Sequence, residues 1–465
     1  MSKISNQGLF IDFGSTFTKL VLIDFASERV IARTQSPSTV DTDITVGLNA
    51  VLDEISKQQG SNFRYRYKLA CSSAAGGLKM VTIGLVPELT AEAAKRAALG
   101  AGAKVVGVYS YQLTKRELYE LEATAPDIVL LAGGTDGGDR ATILHNAVML
   151  GQSGLSVPVI VAGNKSAADE IQTILDAGGK DYIIADNVMP EIGVLNVDEV
   201  RSIIREVFIN RIIDAKGLKN AEQFIDGILM PTPTAVLAAA RLISEGTATE
   251  KGLGELVVVD IGGATTDIHS VAKGDAIEPG VMQKGLPEPF VKRTVEGDLG
   301  LRHNAASILR AAGEERIEAQ LAGLDFDLHK AISQFPLFPE KLPESESEES
   351  LDTELARNAA RLAMERHAGT VETTYGPEGP ILVQYGKDLR GTKTVIGTGG
   401  PLIFNGCPER ILGETVYSEA NPFSLKPQSP EFYLDEQYLL YAIGLMSEVD
   451  ADKALRVAKK YLKRL

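Results

Sequence analysis

The feature that most constrains this chain is a strand–turn–strand pattern that occurs twice, far apart in the sequence. In the first copy, an apolar run leads to Asp12, then to the turn Gly14-Ser15-Thr16 and to a second apolar run ending at Ile23. In the second copy, the run Leu256-Val-Val-Val-Asp260-Ile is followed by Gly262-Gly-Ala-Thr265 and another apolar run. Short β-branched runs on either side of a glycine-containing turn predict a β-hairpin. The repetition therefore predicts an α/β protein with two related lobes.

The tips of both hairpins carry the residue types that hold phosphate groups. Glycine lets backbone N–H groups approach phosphate oxygens, hydroxyls donate further hydrogen bonds, and carboxylates bind magnesium directly or through its water ligands. One such hairpin alone is equally well explained as an ordinary β-turn capped by its aspartate, but two copies favour a pair of tips that grip one polyphosphate. The predicted nucleotide-binding residues of the hairpins are Gly14, Ser15, Thr16, Lys19, Gly262, Gly263, Thr265 and Thr266, and the predicted magnesium ligands are Asp12 and Asp260.

A third glycine-rich turn follows a later apolar strand, in the sequence Thr394-Val-Ile-Gly-Thr-Gly-Gly400. Together the three elements resemble the phosphate-1, phosphate-2 and adenosine motifs of the actin-like ATPase superfamily, which includes actin, sugar kinases, heat-shock chaperones and bacterial filament proteins. The resemblance implies a two-lobed actin-like (ribonuclease-H-like) fold, with ATP and magnesium as cofactors in the cleft. The residues that it implies for the adenosine are Gly397, Thr398, Gly399 and Gly400.

Two further segments resemble the helices that connect the lobes in this superfamily. The first is Pro231-Thr-Pro-Thr-Ala-Val-Leu-Ala-Ala-Ala240, and the second is Tyr438-Leu-Leu-Tyr-Ala-Ile-Gly-Leu445. Heat-shock chaperones carry a glutamate near the magnesium at the start of the first helix, whereas the matching position in Thr232-Pro-Thr234 is a threonine. A hydroxyl supplies neither the charge nor the basicity of a carboxylate, so we expect slow ATP hydrolysis. The catalytic candidates that remain are Asp12, Asp260 and Asp267.

Over its whole length the chain resembles the glutamate mutase accessory protein family, called MutL or GlmL. The match includes Ala132-Gly-Gly-Thr-Asp-Gly-Gly138 and Arg293-Thr-Val-Glu-Gly-Asp-Leu-Gly-Leu-Arg302. The resemblance implies an ATP-dependent reactivating chaperone that exchanges damaged cobalamin in an adenosylcobalamin-dependent mutase, such as glutamate mutase or an aminomutase. The implied partner is that mutase or its cobalamin-binding subunit, and a homodimer is left open.

The organisation of the chain follows from where its patterns change. Regular alternation of apolar runs and helical stretches at about 87–210 predicts an inserted α/β subdomain with a parallel sheet. The first lobe is predicted at 1–240, including that subdomain, and the second lobe at 241–440, with an exposed acidic loop at about 340–353. Residues 441–465 are predicted to form a C-terminal helix that returns to the first lobe. The glycine-rich 132–139 loop could bind an anion, contact a partner or be a tight strand-to-helix turn.

Composition argues against several other classes of protein. The formal net charge of −15 disfavours nucleic-acid binding, which needs basic surfaces that neutralise phosphates. The two cysteines, Cys71 and Cys407, are too few and too far apart for a zinc ribbon, an iron–sulfur protein or a disulfide framework. His145, His269 and His303 lack metal-ligand spacing. The sequence shows no signal peptide and no apolar stretch of about 18 residues, so we expect a cytoplasmic protein without a membrane span.

Three other functions are compatible with the predicted fold. A small-molecule kinase of the sugar or acetate type would need a base beside the γ-phosphate, and the sequence identifies none. A filament protein whose assembly is controlled by nucleotide is also left open. An activator of radical dehydratases needs cysteines that hold a cluster at a dimer interface, which Cys71 and Cys407 do not provide. A reactivating chaperone with slow ATPase activity is therefore the leading hypothesis.

Overall fold

The computed structural model describes residues 6–14, 16–39, 43–59, 65–73, 78–215, 226, 228–321, 327–377 and 379–465. The described residues form two compact units. The larger unit takes its residues from 1–72, 216–284 and 288–465, and the smaller unit takes its residues from 73–215 and 285–287. All the predicted site residues that the structure describes belong to the larger unit.

Both units combine strands with helices. In chain order the strands are β1 (Gln7–Phe13), β2 (Phe17–Asp24), β3 (Arg29–Pro37), β4 (Tyr67–Ser72), β5 (Lys79–Gly84), β6 (Lys104–Ser110), β7 (Ile128–Leu131), β8 (Val159–Val161), β9 (Tyr182–Ile184), β10 (Ile228–Pro231), β11 (Leu256–Ile261), β12 (Thr266–Val271), β13 (Met282–Lys284), β14 (Val291–Glu296), β15 (Thr370–Gly376), β16 (Gly379–Tyr385), β17 (Thr394–Thr398), β18 (Glu431–Leu434) and β19 (Lys463–Arg464).

The helices are α1 (Ile44–Gln59), α2 (Glu92–Gly100), α3 (Lys115–Ala123), α4 (Ala141–Gly151), α5 (Ala168–Ala177), α6 (Asp198–Ala215), α7 (Thr232–Glu245), α8 (Ala305–Ala312), α9 (Glu314–Gln320), α10 (Leu328–Gln334), α11 (Glu346–His367), α12 (Gly400–Ile403), α13 (Pro408–Leu412), α14 (Leu440–Ser447) and α15 (Ala451–Tyr461). A π-helical turn at Pro87–Ala91 precedes α2, and 3₁₀ turns lie at Lys165–Ala167 and Gly413–Thr415. In the part of the chain that the structure describes, none of the helices combines the length and the apolar character needed to cross a bilayer.

The larger unit contains two mixed sheets with the same strand order. The first runs β3-β2-β1-β4-β10, and the second runs β14-β12-β11-β17-β18 with β19 added at its edge. In both sheets the hairpin and the strand beside it pair antiparallel, and the next two strands pair in parallel. The predicted two-lobed actin-like α/β fold is confirmed, because the same mixed sheet occurs twice. A small sheet, β13-β16-β15, lies apart from these two.

Helices α7 and α14 share one apolar core with both sheets. This core includes Phe10 of the first sheet and Val258 and Ile396 of the second, all of them buried. The two helices touch at Gly444, where a Cβ atom would lie 2.0 Å from the carbonyl oxygen of Ala235. Glycine is needed there because any side chain would collide with the backbone of α7. The two segments predicted as connecting helices are therefore in direct contact.

The acidic segment at about 340–353 is not a loop throughout, which corrects the prediction. Helix α11 begins at Glu346, and the Ser345 hydroxyl accepts a hydrogen bond from the backbone N–H of Glu348 (3.2 Å). Glutamates in the first turn complement the partial positive charge at a helix N-terminus. Leu351 and Leu355 are buried in the core of the second lobe. The acidic residues of the first turn suggested a loop, but the segment forms a helix because of its cap and the apolar residues that follow.

The single C-terminal helix predicted at 441–465 is also wrong. The chain instead forms α14, then α15 and finally β19. The two helices are separate because the Asp450 side chain accepts a hydrogen bond from the N–H of Lys453 (3.0 Å) and thereby caps α15. Arg456 of α15 forms ion pairs with Glu28 (2.6 Å) in the first lobe and with Glu250 (3.1 Å). The segment therefore contacts Glu28, between β2 and β3, through α15 and does not form one helix.

The smaller unit is a parallel sheet accompanied by α2 to α6. Its strands run in the order β6-β5-β7-β8-β9, so β5 pairs with both β6 and β7. The sequence predicts this subdomain at about 87–210, but the unit begins earlier, because Lys79–Gly84 supplies an internal strand of its sheet.

The glycine-rich 132–139 loop connects β7 to α4 in the smaller unit. The N–H of Gly137 donates to Oδ1 of Asn164 (3.0 Å), and Nδ2 of Asn187 donates to the carbonyl oxygen of Gly134 (3.0 Å). Oδ1 of Asp136 accepts a further hydrogen bond from Asn187 (3.0 Å). These bonds make the loop a tight strand-to-helix turn, one of the three alternatives that the sequence left open.

Candidate functional site

The two predicted hairpins have the same backbone construction. The N–H of Gly14 donates to the carbonyl oxygen of Phe17 (3.1 Å), and the N–H of Gly262 donates to the carbonyl oxygen of Thr265 (2.9 Å). The strand register places Asp12 opposite Lys19 in the first hairpin and Asp260 opposite Asp267 in the second. The hairpins are therefore equivalent in shape but not in charge.

The tips of the two hairpins are neighbours in space. A Cβ atom placed on Gly263 would lie 3.6 Å from Oγ1 of Thr16. The second tip is supported from the other side, because the N–H groups of Arg302 and His303 both donate to the carbonyl oxygen of Gly263 (2.9 Å each). The tips thus share one region of the larger unit, as a pair that grips a single ligand would require. Ser15 lies outside the described residues.

Asp12 is buried at the end of β1, and both of its carboxylate oxygens have partners. Oδ2 lies 3.2 Å from Nζ of Lys19, and Oδ1 accepts a hydrogen bond of 2.6 Å from the Thr232 hydroxyl. Cys71, which is also buried, lies with its Sγ 3.7 Å from Oδ1. Thr232 is the first residue of α7, the position at which heat-shock chaperones carry a glutamate. The threonine therefore fixes the carboxylate of Asp12, a role that the sequence did not indicate.

Lys19 is surrounded by groups that stabilise its positive charge. Its Nζ lies 4.4 Å from the centre of the Tyr438 ring, in addition to its ion pair with Asp12. Burial acts to lower the pKa of the Lys19 amine, but Asp12, Tyr438 and Asp260 outweigh burial and hold that pKa above its ordinary value. Lys19 is consequently a permanent cation between the two hairpins.

Asp260 is the carboxyl group of the site whose charge can change near neutral pH. Burial raises its pKa to about 7, with a further contribution from Asp267, while Lys19 acts in the opposite direction. The negative charges of Asp12 and Asp435 also contribute to the increase. A carboxyl group with a pKa near the working pH is suited to accept a proton.

Asp267, by contrast, is held by hydrogen bonds on both carboxylate oxygens. Oδ1 accepts from Nε of Arg293 (3.0 Å) and lies 2.7 Å from Nη2 of the same residue, and Oδ2 accepts from the Thr265 hydroxyl (2.8 Å). The hydroxyl of Thr266 is buried and donates to the carbonyl oxygen of Leu299 (2.7 Å). Asp267 and Thr266 thus support the second hairpin, and neither side chain is directed to the gap between the tips by these contacts.

The third glycine-rich turn packs directly against the second hairpin. Gly399 has a φ of 101°, and a Cβ atom there would lie 2.1 Å from the carbonyl oxygen of Ile261, so glycine is required for both reasons. A Cβ atom on Gly400 would lie 3.1 Å from the Tyr438 hydroxyl. Gly397 instead faces the apolar core, near Leu412. Gly399 thus packs against the end of β11 in the second hairpin, and Gly400 packs against Tyr438.

Asp435 and Tyr438 belong to the same site, although the sequence analysis did not assign them a role. Asp435 accepts hydrogen bonds from the N–H groups of Leu439 (2.7 Å) and Leu440 (3.0 Å) and from the Thr398 hydroxyl (3.1 Å). It therefore links the third turn to the start of α14. An aspartate shortly before a predicted helix is a capping signal, and that signal could have identified Asp435.

The residues present fit a magnesium ion that is shared with phosphate groups. Among the described residues, no group of three His, Cys, Asp or Glu side chains is placed to hold a metal ion. Magnesium in nucleotide sites is usually bound through one or two carboxylates, with phosphate oxygens and water completing the shell. Asp12 and Asp260, one from each hairpin, match that requirement. His269 is buried, and burial lowers its pKa to about 3, so it provides no charge to the site.

Solved structures align with nearly the whole of this chain, but at low similarity. Solved structures that are similar over most of their length include an activator of the 2-hydroxyisocaproyl-CoA dehydratase from Clostridium difficile with bound ADPNP, at 10% identity and a TM-score of 0.30, covering 98% of this chain and 97% of that one. Another is a xylulose kinase from Bifidobacterium adolescentis, at 10% identity and a TM-score of 0.31, covering 99% and 96%. Sequence identities and TM-scores this low support no conclusion about function.

Sequence comparison is far more specific. "Protein MutL" from Clostridium tetanomorphum is 50% identical over 455 residues, which cover 98% of each chain. The family model described as "MutL protein" matches residues 8–462. The chain therefore belongs to the MutL family, the glutamate mutase accessory family that its motifs resemble.

Proposed function

We propose that this chain is an ATP-dependent reactivating chaperone for an adenosylcobalamin-dependent mutase, such as glutamate mutase or an aminomutase, and that it acts in the cytoplasm. Membership of the MutL family supports an accessory role. The observation that carries the nucleotide part is the group formed by Asp12, Lys19 and Asp260, which lies where the two hairpin tips meet.

In this proposal the two hairpins hold the phosphates and the third turn holds the adenosine. The backbone N–H of Gly263 and the hydroxyl of Thr16 would bind phosphate oxygens. Gly14, Gly262 and Thr265, whose donors are engaged within the hairpins, would shape the two tips. A magnesium ion held by Asp12 and Asp260 would supply charge neutralisation and orient the phosphates. Lys19 would place a fixed positive charge beside them, and Gly399 and Gly400 would contact the nucleoside.

The arrangement favours slow hydrolysis over rapid turnover. Thr232 and Lys19 occupy both oxygens of Asp12, and Arg293 and Thr265 occupy those of Asp267. Asp260 is the remaining candidate to accept a proton from a water molecule, and only its ionised form can do so. Binding of ATP would then favour one arrangement of the lobes, and slow hydrolysis would set how long that arrangement lasts.

The proposal is tested by measuring recovery of a damaged mutase. Glutamate mutase inactivated by bound hydroxocobalamin is incubated with this protein, MgATP and fresh adenosylcobalamin, and mutase activity is followed. We expect recovery that requires ATP and is absent with the Asp12→Asn variant, whose folding is checked by circular dichroism. No recovery with glutamate mutase or with aminomutases would contradict the proposal, and ATP-dependent phosphorylation of an added small molecule would favour a kinase.

A further inference from the structure

A short apolar loop of the larger unit stands exposed beside the second hairpin. This loop, residues 335–342, follows α10 and reads Phe335-Pro-Leu-Phe-Pro-Glu-Lys-Leu342. Leu337 is 66% exposed, Phe338 is 50% exposed and Leu342 is 52% exposed. The N–H groups of Leu337 and Phe338 both donate to the carbonyl oxygen of Gln334, so the loop has a defined shape. Large apolar residues grouped in this way on a surface are typical of protein contact sites.

The rim of the apolar loop is acidic. Glu340, Glu344, Glu346 and Glu349 are all exposed, and they belong to the loop itself or to the first turn of α11 and the residues before it. The one lysine of the loop, Lys341, is engaged by Glu344 (3.4 Å) and Glu348 (3.0 Å). A partner that fits this surface must therefore present apolar side chains surrounded by lysine or arginine residues.

Arg302 connects the apolar loop to the tip of the second hairpin. Its backbone N–H donates to the carbonyl oxygen of Gly263, and its guanidinium lies 4.7 Å from the centre of the Phe335 ring. Two further bonds join it to Asp352, at 2.9 and 2.5 Å, and another reaches the carbonyl oxygen of Lys341 (3.4 Å). Arg302 and Asp352 are both buried, so the pair is not a loose surface contact. Arg302 thus contacts the tip of the second hairpin and both ends of the apolar loop.

We propose that the apolar loop is a docking surface for the client protein, which carries a complementary apolar patch with a basic rim, and that Arg302 makes the loop respond to the second hairpin. The identity of the client as a cobalamin-dependent mutase rests on the proposed function above. A ligand that moves Gly263 would displace the backbone of Arg302, and the paired guanidinium would carry that displacement to Phe335 and Lys341. Client affinity would then differ between the nucleotide-bound states.

The docking surface is tested with the purified cobalamin-binding subunit of glutamate mutase. Binding to the parent and to the double variant L337S/F338S is measured by isothermal titration calorimetry with MgAMPPNP present. We expect at least tenfold weaker binding for the double variant, and unchanged binding for Y375S, which alters an exposed aromatic residue on the small sheet. Equal binding by the parent and the double variant would overturn the docking surface. Failure of the parent itself to bind the subunit would instead overturn the proposed client, and with it the occupant named here.

The coupling through Arg302 is tested without any partner, so its outcome is independent of the proposed client. The chain contains no tryptophan, and F338W therefore introduces a single fluorescent reporter in the loop. We expect the tryptophan emission to change when MgATP saturates the site, and the change to disappear in R302K/F338W, because lysine cannot make the paired and stacked contacts of arginine.

Nucleotide binding is measured separately by calorimetry in each variant. This control distinguishes a loss of coupling from a loss of nucleotide binding, because both would leave the tryptophan emission unchanged. D352N/F338W serves as a second uncoupled variant if R302K/F338W does not fold. An emission change that persists in an uncoupled variant, or no change in F338W at saturation, would overturn the coupling.

Discussion

The two hairpins of the larger unit differ in the residue that faces the first aspartate. In the first hairpin Asp12 is opposite Lys19, its ion-pair partner, whereas in the second Asp260 is opposite another carboxylate, Asp267. Arg293, from the neighbouring strand, forms an ion pair with Asp267, while burial and then the charge of Asp267 raise the pKa of Asp260 to about 7. Hairpins with the same backbone structure therefore carry an ion pair in one lobe and a carboxyl group that titrates near neutral pH in the other.

Removing the charge of Asp12 is expected to have the largest effect. In D12N the Lys19 cation loses its partner in a largely buried position, so the free energy of unfolding should fall by about 2–4 kcal/mol, and MgATP binding should be lost. Urea denaturation and calorimetry measure the two effects. The control is D12N/K19M, which removes both charges and should recover part of the stability but none of the binding. A D12N protein as stable as the parent would show that the pair does not support the first hairpin.

Removing the charge of Asp260, the equivalent residue of the second hairpin, should raise the free energy of unfolding instead of lowering it. Between about pH 4 and pH 7 the folded parent retains a proton on Asp260 that the unfolded chain has released, so parent stability falls as the pH rises through this range. The stability of D260N does not fall with rising pH for this reason, because the asparagine does not titrate. Relative to the parent it should gain about 1–2 kcal/mol between pH 5 and pH 8, less than the full shift implies because the residue is only half-buried. MgATP binding should nevertheless be abolished.

Thermal unfolding across the pH range tests this prediction, with D267N as the matched control on the opposite strand. D267N removes the ion-pair partner of Arg293 and should therefore be destabilising. A D260N protein that gains nothing over the parent between pH 5 and pH 8 would contradict the raised pKa of Asp260.

The same carboxyl group should make MgATP affinity depend on pH. Because magnesium binds the ionised form, affinity should rise about tenfold from pH 6 to pH 8 as Asp260 releases its proton. The nucleotide itself also titrates in this range. The change of MgATP affinity with pH is therefore compared with that of D260E, whose longer carboxyl group lies in a different environment. Binding without magnesium provides the second control and should show little of the increase. A flat profile for the parent would exclude Asp260 as a metal ligand.

The smallest expected effect concerns the hydrogen bond between Thr232 and Asp12. T232V keeps the shape of the side chain but cannot donate, so ATP hydrolysis should slow about fivefold, the equivalent of about 1 kcal/mol for one hydrogen bond. T232S retains the hydroxyl and should behave like the parent. Steady-state release of phosphate measures the rates. Equal rates for T232V and the parent would show that Lys19 alone is sufficient to hold Asp12.

The sequence was most informative where local pattern and tertiary role coincide. The strands Leu256–Ile261 and Thr266–Val271 match the predicted second hairpin, because turn chemistry and β-branched runs are local signals. The hydrogen bond from Thr232 to Asp12 spans 220 residues, so no local pattern reveals it. The charge difference between the hairpins was visible only once the register was known, since it depends on which residues face each other.

Errors in the predicted organisation have a common physical origin. Composition suggested a solvated loop at about 340–353, but the Ser345 cap and the buried residues beyond the first turn determine a helix. The predicted start of the inserted subdomain missed Lys79–Gly84, a short strand whose place in the middle of a sheet comes from pairing with distant strands. In both cases packing against the rest of the protein, by α11 in the core and by β5 in its sheet, helped to determine the structure.

The contact between Gly444 and Ala235 has a consequence for how the two lobes can move. With no side chain between them, the backbones of α7 and α14 are in direct contact at this point. A methyl group here would collide with the backbone of Ala235 and push the two helices apart. Any movement of one lobe relative to the other must therefore preserve or rearrange this close contact, because both helices belong to the core that the two sheets share.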